Sequence, residues 1–83
     1  MSFRIIVKPD ARKNLKKIPA EHRKRIYHTL MEIGKNPFAA KKLHGKYRRH
    51  YVVRVWPYRI VYKILQSESL IDVIHISHRQ GIY

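Results

Sequence analysis

The chain has no cysteine and only five acidic residues among 83. The first absence excludes disulfides and any thiolate metal site, and it fits a reducing compartment. The second leaves 19 Lys and Arg with few partners and a formal net charge of +14. No apolar run approaches the ~20 residues of a membrane span. Met1-Ser2-Phe3-Arg4 lacks the apolar core of a secretion signal. A cytoplasmic location is therefore expected. There are no repeats, low-complexity stretches or linkers, so residues 1–83 read as one domain. A domain of this size buries only about two-thirds of its unfolded surface and has modest stability.

What is present in excess is positive charge. Solubility of a small domain needs a net charge of about 2 to 8 in magnitude. A larger field attracts a polyanion: nucleic acid, an acidic protein or an anionic membrane. No segment reads as a basic membrane-surface helix with bulky aromatics on its apolar side. Nucleic acid and acidic protein are the expected partner classes.

The pattern of apolar residues predicts an α+β domain of order β-α-α-β-β-β. Phe3, Ile5 and Val7 alternate with Arg4, Ile6 and Lys8, a strand over 3–8. Asp10 is the expected N-cap of a short helix carrying Ala11, Leu15 and Ile18. Pro19 suits the first turn of a second helix. Ile26, Leu30 and Ile33 form its apolar stripe, widened by Tyr27 and Met31, and Gly34 and Asn36-Pro37 are expected to end it. Residues 38–46 read as loop or a partial turn. Strands follow over 47–55, 58–65 and 70–77, broken at Trp56-Pro57 and at 66–69. The last three form an antiparallel meander in one sheet with the N-terminal strand. The helical hairpin covers one face of that sheet.

Register follows from which side is apolar. A hairpin turning at Trp56-Pro57 pairs Val55 with Tyr58, Val53 with Ile60, and Arg54 with Arg59 on the far face. The next hairpin sets Ile60 against Ile74 or Ile76. Arg59 then faces His75 or Ser77, and Arg79 comes one step beyond. Three arginines are expected side by side, away from the helices. Opposed like charges destabilise a sheet, so the row makes sense as a seat for an anion. Arginine grips phosphate oxygens in bidentate fashion and stays charged. The bland alternative is three stems lying on the sheet with their heads in water.

A guanidinium is a poor proton carrier. Candidates for that task are His78, His75, Tyr83, Lys46 and Lys63. His78 has the best-suited intrinsic chemistry, although alternation aims it toward the helices. His75 and His78 lie an odd number of residues apart, on opposite sides of a strand, which argues against a metal pair. Tyr47 and Tyr83 are candidates to stack on a base, whereas Trp56, Tyr58 and Tyr51 read as hairpin and core aromatics. Lys41, Lys42, His44, Lys46, Arg48 and Arg49 form a basic run suited to nucleic-acid backbone, with Lys63 as a further contact.

Several of these pieces together resemble the RelE/ParE toxin superfamily. They are Leu43-His44-Gly45, the Tyr51-Val52-Val53-Arg54-Val55 strand, the Tyr58-Arg59-Ile60-Val61-Tyr62 strand and the closing His78-Arg79-x-x-x-Tyr83. The Ile18-Pro19 junction and the Asn36-Pro37 stop fit as well. In the RelE branch the resemblance implies a ribosome-dependent endoribonuclease of a type II toxin–antitoxin system. It would cut mRNA in the ribosomal A site by attack of a 2′-hydroxyl on the adjacent phosphate, with no metal or cofactor. An acidic antitoxin would block it. Arg59 and Arg79 match the family's phosphate-binding cations, and Tyr83 its terminal tyrosine. Arg54 stands where relatives often carry lysine, and Val52 where some carry a second one. The ParE branch shares the fold and the Tyr-Arg-Ile-Val-Tyr strand but poisons DNA gyrase. A non-catalytic RNA- or ribosome-binding module is the third alternative.

Overall fold

The computed structural model describes residues 2–42 and 50–79, with the backbone alone for Lys41 and Lys42. Two helices lie on one face of a sheet. Strand β1 spans Arg4–Val7, helix α1 Pro9–Lys17 and helix α2 Ala20–Lys35. A two-residue strand β2 (Lys41–Lys42) follows a single 3-10 turn at Pro37–Ala39. Then come β3 (His50–Val55), β4 (Tyr58–Leu65) and β5 (Leu70–His78). The sheet order is β1-β5-β4-β3-β2. The three long strands form the expected meander. β1 adds to β5 in parallel, which makes the sheet mixed. No helix among the described residues is long and apolar enough to cross a membrane.

α1 buries Ala11 and Leu15, with Ile18 at its C-cap. It begins two residues earlier than the sequence predicts. Pro9 takes the first position and Lys8 the cap, so Asp10 lies inside the first turn. A carboxylate there still favours the helix through the N-terminal partial charge. Pro19 caps α2 rather than opening it. α2 buries Ile26, Leu30 and Ile33. Tyr27 and Met31 do not widen the buried stripe; they are 51% and 66% exposed. Nor does Gly34 end the helix, which runs to Lys35 with Asn36 as cap. Its bare Cα instead permits a close approach of β1. A Cβ there would sit 3.3 Å from the Phe3 carbonyl oxygen, and the Phe3 N–H donates to the Gly34 carbonyl at 2.8 Å.

The core joins these helices to Val55, Ile60, Tyr62, Ile71, Val73 and Ile76. Tyr62 is fully buried, and its hydroxyl donates to the Pro37 carbonyl at 2.6 Å. Burial pushes its phenol up from 10.0 to about 12, with Tyr51 beside it adding to the shift. Tyr51 stacks on Tyr62 at 5.7 Å between ring centres.

β5 carries one irregularity that positions the site. Val61 pairs with His75, but Tyr62 pairs with Val73, so Ile74 is left without an opposite number. This is a β-bulge. Before it, Ile71 and Val73 point into the core; after it, Ile76 does. Ser77 and Arg79 thereby fall on the face away from the helices, and His78 on the helix side.

Candidate functional site: an arginine cleft at the hairpin end

The β3–β4 hairpin turns at Trp56-Pro57, and Arg54 pairs directly with Arg59 two residues from that turn. On the other side of β4, Arg59 pairs with Ser77. The Arg79 N–H donates to the Pro57 carbonyl at 2.6 Å, bringing the end of β5 to the same turn. The result is a cleft of about 260 Å³ lined by Arg54, Trp56, Pro57, Tyr58, Arg59 and Arg79. Arg54 and Arg79 are exposed and Arg59 is half-buried.

Among the described residues, no carboxylate lies within ion-pairing distance of these three guanidiniums. The acids engage elsewhere: Asp72 with Lys8 at 3.3 Å, and Glu32 with His28 and Lys35 at 3.9 Å each. The described lining holds positive charge but no imidazole or carboxylate. It is equipped to bind an anion and to stabilise added negative charge, and its arginines cannot shuttle protons.

His78 is not in this cleft. It packs edge-on against Tyr58 at 5.5 Å, on the side of the helices. There it lines a separate pocket of about 430 Å³ with Asn14, Lys17 and Ile18. Tyr58 touches His22 on its other edge at 5.5 Å and so stands between the imidazoles and the arginines. Lys63 is also apart. It pairs with His50 and Asp72 in the sheet and lines a pocket with Lys8, Asp10 and His75. Lys41 and Lys42 enter as the backbone of β2, paired with Val52 and Tyr51. Tyr83, Lys46, Arg48 and Arg49, with Tyr47 and His44, lie outside the described residues.

One cleft residue departs from its sequence reading. Trp56 is not a core aromatic; it is 67% exposed, with the Arg79 guanidinium 5.7 Å from its ring centre. Arg25 of α2 braces the turn beneath it, donating to the Trp56 carbonyl at 2.6 Å. The same guanidinium lies 2.6 Å from His22 Nδ1. Nothing in the sequence separates an exposed turn tryptophan from a buried one. Only the proline that follows it, Pro57, marked the turn.

A family model for the ParE toxin of the type II toxin–antitoxin system parDE matches residues 5–83. The chain belongs to the RelE/ParE toxin family. It is a toxin of a type II toxin–antitoxin module. Among solved structures, this RelE/ParE toxin is similar to a RelBE toxin–antitoxin complex from Mycobacterium tuberculosis, at 18% identity and TM-score 0.88. That match covers 95% of this chain and 100% of the other. The isolated RelE toxin of E. coli matches at 22% identity and TM-score 0.83, covering 99% and 88%. A YoeB/ParE toxin from Agrobacterium tumefaciens matches at 17% and 0.81, covering 92% and 98%. At these identities the likeness is one of fold. No curated protein matches the sequence.

Proposed function

We propose that this toxin is a RelE-type, ribosome-dependent endoribonuclease that cuts mRNA in the A site and so inhibits translation. The observation that carries the reading is the convergence of Arg54, Arg59 and Arg79 on one cleft that no described carboxylate neutralises. A scissile phosphate fits such a seat. In the proposed reaction the ribose 2′-hydroxyl gives up its proton as its oxygen bonds to phosphorus, the bond from phosphorus to the 5′-oxygen breaks, and that leaving oxygen takes up a proton. The products are a cyclic phosphate and a free 5′-hydroxyl. The three guanidiniums hold the non-bridging oxygens and offset the charge that develops on them, without metal or cofactor. Tyr83 is assigned to stacking on, or aligning, the nucleotide. Tyr58 sets His78 apart from the cleft, and the proposal gives that imidazole no part in holding the phosphate. Lys41, Lys42, Lys46, Arg48, Arg49 and Lys63 are assigned to the RNA backbone.

The partners follow from the same reading: mRNA and ribosomal RNA in the cytoplasm, and an antitoxin. The Mycobacterium tuberculosis structure, and a further similar one of RelBE from E. coli, are complexes of toxin with antitoxin. A net charge of +14 favours an acidic one.

Brief induced expression with mapping of new mRNA 5′ ends tests the reading. Cuts phased to codons in translated messages are expected. Intact messages with blocked DNA supercoiling would instead establish gyrase poisoning, the reading that the ParE family name favours. Intact messages, normal supercoiling and ribosome association would leave a non-catalytic binding module.

A further inference from the structure

Among the described residues five large apolar side chains stand exposed, and of these Trp56 is the one that lines the arginine cleft. An indole that is 67% exposed gains little from folding, and its apolar surface is open to a ligand that lands on it. Its position is also held firmly. Arg25 grips the Trp56 carbonyl from α2, and the Arg79 N–H grips the next carbonyl, that of Pro57, from the end of β5. A ring on a braced turn loses little freedom when a ligand lands on it. The Arg79 guanidinium already sits 5.7 Å from the ring centre, so charge and π-surface are presented together. That combination, cations for a phosphate beside a flat exposed aromatic, is the chemistry by which single-stranded nucleic acid is held.

We infer that Trp56 is a stacking platform for the nucleobase adjoining the phosphate held by Arg54, Arg59 and Arg79. The inference rests on the reading of the cleft as an RNA site. The ligand class is single-stranded RNA. The arginines supply affinity that falls with salt, and Trp56 supplies affinity that depends on a base being present. Trp56 also orients Arg79, so it acts as a positioning residue as well as a contact.

Trp56 is the single tryptophan of the chain, so emission excited in the tryptophan band, beyond tyrosine absorption, reports on this cleft. The test titrates the full chain with a short single-stranded RNA carrying 2′-O-methyl groups, which cannot attack the phosphate. Binding is followed by anisotropy of a label on the RNA and by Trp56 emission. Saturable quenching is expected. An abasic unit moved along the strand should remove the quench at one position while salt-dependent binding persists. Trp56→Ala should weaken binding about tenfold, and Trp56→Phe should restore most of it. RNA that binds by anisotropy with emission unmoved, or with affinity indifferent to Trp56→Ala, would overturn the platform and leave the cleavage reading standing. Base-dependent quenching in a chain that leaves translated mRNA intact would do the reverse. Absence of any RNA binding would also overturn the platform, while the ribosome-dependent cleavage reading would still be decided by the mapping of mRNA 5′ ends.

Discussion

The two faces of the sheet use alternate residues of the same strands for opposite ends. On β4, Ile60 and Tyr62 turn toward the helices and are fully buried, whereas Arg59 and Lys63 turn away. The helix face is held by apolar burial, and none of the buried residues described there is charged. The open face sets Arg54 directly against Arg59 with Arg79 beyond, an arrangement that costs stability in the free protein. The comparison teaches that the first face holds the second in place. Arginines that repel each other stay in register because the residues between them are anchored in the core.

The sharpest way to break this contrast is to weaken the anchor. Ile60→Ala is expected to lower unfolding free energy by about 2–5 kcal/mol, measured by urea denaturation. On the open face, Arg59→Ala or Arg79→Ala should slow mRNA cleavage by a factor of about 100 to 1,000, or about 2.7–4 kcal/mol. The fold, read by circular dichroism, should be unchanged. Wild-type cleavage by either variant would refute the assignment of the cleft.

A third effect isolates the helix face by pH. Tyr62 in the native state holds its proton up to about 12, whereas the unfolded phenol releases it near 10.0. The folded protein then binds more protons than the unfolded chain, so stability falls as pH rises. This contribution is fully present below about pH 10 and is lost as pH rises through about 12. It amounts to about 2–3 kcal/mol. Tyr62→Phe should flatten that part of the stability profile relative to wild type. At neutral pH the same variant should cost about 1–3 kcal/mol, because the Pro37 carbonyl loses its 2.6 Å partner.

The smallest effect has the most diagnostic sign. Arg59→Ala removes a like charge opposite Arg54 and should raise thermal stability by about 0.2–1 kcal/mol at low salt. The gain should shrink as salt is added. One substitution would then slow cleavage and stabilise the fold. A loss of stability instead would mean that Arg59 carries packing its charge conceals.

Much of this was legible from period-two alternation. The β3–β4 register, including Arg54 against Arg59, follows from matching Val53 to Ile60 and Val55 to Tyr58. The helices followed from Leu15, Ile26, Leu30 and Ile33 at helical spacing. Other features have no local signature. β2 is two lysines, too short to show a pattern. The parallel pairing of β1 with β5 joins Arg4 to Leu70 across most of the chain. The exposure of Trp56 depends on a turn braced by Arg25 from another element. Ile74 is as apolar as its neighbours, so nothing marks it as the unpaired residue, and two registers against Ile60 fitted equally well. Both registers put His78 on the side of the helices, where the structure has it.

That unpaired isoleucine gives β5 a phase as well as a sequence. Upstream of it, odd-numbered residues address the core; downstream, even-numbered ones do. A deletion of its single codon would leave the charge of the chain untouched and exchange the addresses of Arg79 and His78. Such a chain is expected to bind RNA no better than Arg79→Ala while still carrying the arginine, which binding measurements on the pair would show. On the proposed reading, residue count within this strand is part of the recognition chemistry. A change of length here would be read as a change of function.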